Sequence, residues 1–108
     1  AISSCFFNRP VNRFDMEAPT DRLDMGVFGS MTELADAELA ALICPRPLQV
    51  QVGIEDELFP VEGARKEARR VQEYYERLGI LERYSFEAFD GGHEWCGEVA
   101  WEFLQRWI

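Results

Sequence analysis

The sequence predicts an α/β fold, with a small three-stranded parallel sheet and helices packed on its faces. Three observations carry this. Residues 48–54 set Leu48, Val50, Val52 and Ile54 against Gln49, Gln51 and Gly53, the two-residue period of a strand. Residues 61–78 place Val61, Ala64, Ala68, Val71, Tyr75 and Leu78 at three- and four-residue steps with charges between them, the pattern of an amphipathic helix. Strand-like and helix-like segments alternate along the chain, and that order joins parallel strands through helical crossovers.

The elements follow in order. Residues 2–7 (ISSCFF) are apolar and end at the turn-like Asn8-Arg9-Pro10, so they read as a first strand within 1–7. Residues 8–30 scatter Pro, Gly, Asn and Asp and read as a long loop. A helix is expected over 31–42, with Thr32 as its N-cap and Leu34, Leu39 and Leu42 near one face. Pro45-Arg46-Pro47 stops it, because proline lacks a donor and disfavours helix in the residue before it. The strand over 48–54 follows, then an acidic turn to Pro60. Pro60 suits the first position of the helix over 61–78, and Gly79 its C-terminal cap. Tyr74 and Tyr75 are adjacent on that helix, so one of them faces outward. Residues 84–89 (YSFEAF) read as the third strand. After the turn Asp90-Gly91-Gly92-His93 comes a last helix over 94–108, with Trp95 and Trp107 expected to face the core and Trp101 outside or in an interface.

Composition sets limits on function. The 108 residues suit one domain, and 47% hydrophobic with 29% charged residues is an ordinary globular balance. A net charge of −9 repels phosphate backbones and anionic headgroups, so neither nucleic acid nor a membrane surface is an expected partner. No apolar run approaches the ~20 residues of a membrane span. The start carries no basic-then-apolar secretory segment, and an opening Ala1 fits a processed, tag-cleaved or partial chain alike. Cys5, Cys44 and Cys96 are odd in number and lack CxxC spacing. They predict free thiols rather than a disulfide framework or zinc site, and lean towards a reducing, cytoplasmic compartment. No cofactor or metal is expected.

In a parallel sheet, sites gather in the loops after the carboxyl ends of strands. The two loops of that kind here hold Asp56 and the chain's one histidine, His93, 37 residues further on. Neighbouring strands lie ~5 Å apart, so the two side chains can meet above the sheet. An aspartate beside an imidazole fixes its tautomer and stabilises the imidazolium formed when the ring takes a proton. Each residue also has a bland reading. A histidine in a glycine turn is often a surface residue, and Asp56 among Glu55, Glu57 and Glu62 could be part of a solvated acidic turn. The order acid-then-histidine on successive strands favours the functional reading.

Three segments resemble a known family. Cys44-Pro45-Arg46-Pro47-Leu48, then Gly53-Ile54-Glu55-Asp56-Glu57-Leu58-Phe59-Pro60-Val61, then Gly91-Gly92-His93-Glu94-Trp95 look like the C-terminal part of α/β-hydrolases of the dienelactone hydrolase and acetyl xylan esterase type. The resemblance implies that the small sheet corresponds to the C-terminal portion of that fold. It further implies Asp56 as triad acid, His93 as general base, and ester hydrolysis as the reaction.

The chain departs from the family in its nucleophile, and the strands expected to supply the oxyanion-hole donors are missing as well. Such enzymes present their nucleophile on a G-x-S-x-G elbow, and the sequence contains none; around Ser30 the required glycine positions hold Phe28 and Thr32. Ser3, Ser4 and Cys5 are expected in the sheet core. Cys96, three residues beyond His93, is a minor candidate for a nucleophile. The leading expectation is therefore a truncated ester hydrolase, inactive alone. The alternative is a non-catalytic module of the same fold that self-associates or binds a partner. A small hydrolase using Cys96 or a serine ranks third. The unpaired edge of the first strand is the expected contact, either with a missing N-terminal half or with a second copy whose first strand pairs antiparallel.

Overall fold

The alternating segment forms the middle strand of the sheet. The structure, a computed structural model, describes residues 1–5 and 34–108. The described elements are β1 (Ile2–Ser4), α1 (Asp36–Ala41), β2 (Leu48–Gly53), α2 (Val61–Arg77), a 3-10 turn (Leu81–Arg83), β3 (Tyr84–Phe89) and α3 (Gly97–Trp107). The loop expected over 8–30 lies outside the described residues. So do residues 6–7 of the expected first strand, and residues 31–33 with the proposed Thr32 cap.

The sheet order is β1-β2-β3 and both pairings are parallel. Ser4 lies beside Gln51 and Gly53 beside Phe89, so the three carboxyl ends open on one edge of the sheet. β2 is buried along its whole length. Leu48 and Val50 join Ala37, Ala40, Ala68, Val71 and Tyr75 in one apolar cluster between the sheet and α1 and α2. Gln49 and Gln51 occupy the opposite face, as alternation requires. There Gln49 Nε2 donates to the Val99 carbonyl at 3.3 Å, and Gln51 Oε1 accepts from the Cys96 N–H at 2.8 Å. A parallel strand covered on both faces needs such partners for its polar side chains. Tyr75 is the inward member of the tyrosine pair; its hydroxyl donates to the Arg46 carbonyl at 2.7 Å and burial pushes its pKa up to about 12.

Several element ends differ from those expected. Among the described residues β1 ends at Ser4, where Cys5 takes φ +51, a left-handed conformation that interrupts an extended strand. α1 starts at Asp36, since Ala35 is extended (φ −85, ψ 173) and acts as the cap, with Glu38 Oε2 accepting its N–H at 2.9 Å. The leucines do not form the inner face of α1. Leu42 is 72% exposed, while Ala37 and Ala40 face the core. Small residues let α1 lie close to α2, where the buried Glu67 accepts the Ala37 N–H at 3.0 Å. Arg70 pairs with Glu67 at 3.0 Å and also with Glu38, closing a bridge between the two helices.

β2 ends at Gly53, leaving Ile54 exposed in the following turn. α2 ends at Arg77, with an exposed Leu78 as C-cap and Gly79 at φ +68 after it. α3 starts at Gly97 rather than residue 94, and Trp95, expected to face the core, is 55% exposed. The backbone there is committed elsewhere: the Glu94 N–H bonds to the Gly92 carbonyl at 2.9 Å and the Cys96 N–H to Gln51. Trp101 is exposed, and Trp107 is half-buried against Phe103.

Candidate functional site

Two strand ends bring Asp56 and His93 together. Asp56 sits in the turn after β2 and His93 in the turn after β3, with His93 Nδ1 3.0 Å from Asp56 Oδ2. The other carboxylate oxygen, Oδ1, accepts the N–H groups of Leu58 at 2.8 Å and Phe59 at 2.9 Å. An aspartate folding back on the next backbone amides is a common turn-former, and here the turn orients the acid. The Asp56 side chain is 0% exposed. Burial works to raise its pKa. The Phe59 N–H, His93, the Leu58 N–H and the Cys5 thiol together outweigh burial and hold the carboxyl below its ordinary value.

His93 is more open, with 43% of its side chain exposed. Its ring stacks on the buried Phe59, with centroids 5.6 Å apart and planes 18° from parallel. With Nδ1 engaged by the carboxylate, Nε2 is the nitrogen left to take a proton. That is the division of labour a general base needs.

Backbone contacts fix one loop on the other. The Ile54 N–H bonds to the Phe89 carbonyl and the Glu55 N–H to the Gly91 carbonyl, both at 2.9 Å, carrying the β2–β3 ladder past the ends of the strands. The histidine loop crosses directly over Gly53, where a Cβ would stand 2.1 Å from the Gly92 carbonyl oxygen. Only glycine leaves room for that crossing.

The end of β1 also reaches the site, which sequence reasoning missed by placing Ser4 and Cys5 in the sheet core. Ser4 Oγ donates to the Glu94 carbonyl at 3.1 Å, and Cys5 Sγ faces the carbonyls of Glu94 at 3.2 Å and Gly92 at 3.6 Å. Cys5 is buried, but at the carboxyl edge of the sheet, and its sulfur, an Asp56 oxygen and a His93 nitrogen all lie within 4.8 Å of one another. The available signal was positional, since Cys5 follows the first strand as Asp56 and His93 follow theirs. Cys96 is not part of this trio; it precedes α3 and its amide is held by Gln51.

Thiol, carboxylate and imidazole are ligand types that zinc accepts. Here the carboxylate is already bonded to two backbone N–H groups and the ring, and the thiol is directed at carbonyl oxygens. The arrangement is that of a hydrogen-bonded acid–imidazole pair.

No protein-family model matches the chain. Over 75 residues it is 32% identical to YtaP of Bacillus subtilis (strain 168), a protein named as a hydrolase, covering 67% of this chain and 25% of YtaP. Among solved structures it is similar to a carbohydrate esterase family 15 glucuronoyl esterase from Caldicellulosiruptor kristjansonii, with a TM-score of 0.57 and 30% identity over 64% of this chain and 18% of that one. The chain thus spans a quarter or less of the length of these relatives. It is similar in sequence to a hydrolase and an esterase, and its three-stranded parallel sheet with flanking helices is of the α/β-hydrolase type.

Proposed function

We propose that the chain is the acid-and-histidine portion of a carboxylic-ester hydrolase, with Asp56 as the triad acid and His93 as the general base. The observation that carries this is the 3.0 Å contact between a fully buried carboxylate and a half-open imidazole at adjacent strand ends. The likeness to proteins named as a hydrolase and an esterase supports the reaction class. The "PRP" and "GGH" segments favour the dienelactone hydrolase and acetyl xylan esterase type within it. In this reading the nucleophile and oxyanion donors come from a portion with a G-x-S-x-G elbow, and the chain alone does not turn over esters. Those parts are each worth several kcal/mol of barrier lowering in such enzymes.

Hydrolysis of p-nitrophenyl acetate tests the reading. The chain and its His93→Ala variant are expected to run alike, near background. Joined behind a serine-hydrolase portion that supplies the elbow, the chain is expected to hydrolyse the ester, and His93→Ala to lower that rate by about 10²–10⁴-fold. An unchanged rate in the joined protein would remove His93 from catalysis. Activity in the chain alone that vanishes in His93→Ala would put the nucleophile inside it, with Cys96 the next residue to replace.

A second reading, a self-associating or partner-binding module of the same fold, draws on the sheet edge. Among the described residues β1 pairs only with β2, and the exposed Trp101 and Ile108 are large apolar side chains. Light scattering is expected to find a dimer or larger species. A monomer at every concentration would count against edge-to-edge pairing.

A further inference from the structure

We propose that Cys5 is a positioning residue of the Asp56–His93 pair, locking the histidine loop from below by donating its thiol to the carbonyls on either side of His93. This rests on the reading of that pair as acid and base.

Four observations converge on it. The Cys5 sulfur faces the carbonyl oxygens of Gly92 and Glu94, the residues that flank His93 in the chain. One thiol proton serves one acceptor at a time, so it is shared between these two carbonyls, which bracket the imidazole, and the Asp56 carboxylate. Ser4 Oγ adds a second donor to the Glu94 carbonyl at 3.1 Å, so the end of β1 grips the loop twice. The sulfur also lies within 4.8 Å of the Asp56 carboxylate and the His93 ring, and the thiol favours the charged carboxylate. Finally, Cys5 holds φ +51, a left-handed region that strains a non-glycine residue. The surrounding structure sustains that conformation: the Cys5 N–H bonds to the Gln51 carbonyl at 2.8 Å and the side chain is packed to 2% exposure. The same backbone turn that ends β1 delivers the sulfur to the underside of the site.

That placement separates Cys5 from nucleophilic duty. It is buried, and it meets the histidine loop through backbone carbonyls. The nucleophile of an acid–base–nucleophile set approaches the opposite ring nitrogen, Nε2, and must be open to substrate. Cys5 instead sets where the imidazole stands, so its effect shows in the state of the ring.

The chain has one histidine, so its imidazole spectrum is unambiguous. Nitrogen-15 NMR of the imidazole and carbon-13 titration of the Asp56 carboxyl would be recorded on the whole chain, unaltered and with Cys5→Ser, Cys5→Ala and Cys5→Gly. In the unaltered chain the ring is expected in the Nδ1–H tautomer, hydrogen-bonded to Asp56. Cys5→Ala and Cys5→Gly are expected to shift the ring towards mixed tautomers. Both should raise the Asp56 midpoint, because the thiol that favours the charged carboxylate is gone. Cys5→Ser, which keeps a donor, is expected to retain the original pattern. Cys5→Gly relieves the left-handed backbone while removing the thiol, so it separates strain from donation.

Ring signals unchanged in both the Ala and Gly variants would overturn the proposal. A Gly variant that behaves like the unaltered chain, or a Ser variant that behaves like the Ala variant, would assign the effect to backbone strain or to packing and would equally overturn it. If the unaltered chain itself lacks the Nδ1–H tautomer, the acid–imidazole reading fails first, and that failure is distinguishable because it appears without any substitution.

Discussion

Gly53→Ala is expected to part the histidine loop from the acid loop and to destabilise the chain by about 2–4 kcal/mol, the cost of overpacking plus lost loop hydrogen bonds. The new Cβ would stand 2.1 Å from the Gly92 oxygen, 2.4 Å from the Gly91 oxygen and 2.8 Å from the Gly92 carbonyl carbon. These are backbone atoms, so no rotamer change relieves the contact. The histidine loop must lift, and lifting it stretches the 2.9 Å bond from the Glu55 N–H to the Gly91 carbonyl and draws His93 away from Asp56. Urea unfolding measures the stability, and the imidazole spectrum reports loss of the Nδ1–H contact. Gly92→Ala is the control. A Cβ there meets nothing within 4 Å, so it is expected to shift stability by no more than about 0.5 kcal/mol. Equal stability in the two variants would mean that the close crossing of the loop over β2 does not form.

The difference between these two glycines was invisible in the sequence, and the reason is general to this molecule. β2, β3 and α2 were legible because their side chains repeat with the period of the element, and the repeat survives one or two misplaced ends. Asp56 and His93 were legible because each follows such an element at the edge where a parallel sheet presents its loops. What the sequence hid is set by contacts between distant segments. Three examples are the left-handed turn at Cys5, the grip of Ser4 and Cys5 on the Glu94 carbonyl, and the crossing over Gly53. None of these has a period. α1 misled for a different reason. Leucine is the usual core residue, but close approach of α1 to α2 around Glu67 favours Ala37 and Ala40 inside and leaves Leu42 out. The first residues of the last expected helix misled because Trp95 is apolar, yet the backbone from Gly92 to Cys96 is used to shape the histidine loop.

Asp56→Ala is expected to be the most damaging single change at the site, costing about 3–5 kcal/mol. It removes the acceptor of the Leu58 and Phe59 N–H groups, and the Phe59 bond is a buried one. It also leaves His93 Nδ1 without its partner. Asp56→Asn is gentler to the fold and separates charge from shape. Its amide oxygen can still serve the two backbone donors, but its NH₂ group then meets Nδ1 and obliges that nitrogen to accept, placing the ring proton on Nε2 where a base must be vacant. The charge itself shows in the pH dependence. The folded Asp56 carboxyl is held below its ordinary value, so the unfolded chain takes up this proton at higher pH than the folded one. The carboxylate's contribution is therefore fully present above the unfolded pKa of about 3.9, and is lost as pH falls through the lower folded value. The chain's many other acidic groups titrate in both proteins, so the informative quantity is the stability gap between the unaltered chain and Asp56→Asn. Urea unfolding from about pH 5 down to about pH 2, below the range in which the histidine ring takes its proton, is expected to show that gap narrowing below about pH 4. A gap that stays constant to the lowest pH would mean that the hydrogen bonds around Asp56 act through its shape alone, and that its charge does not hold His93.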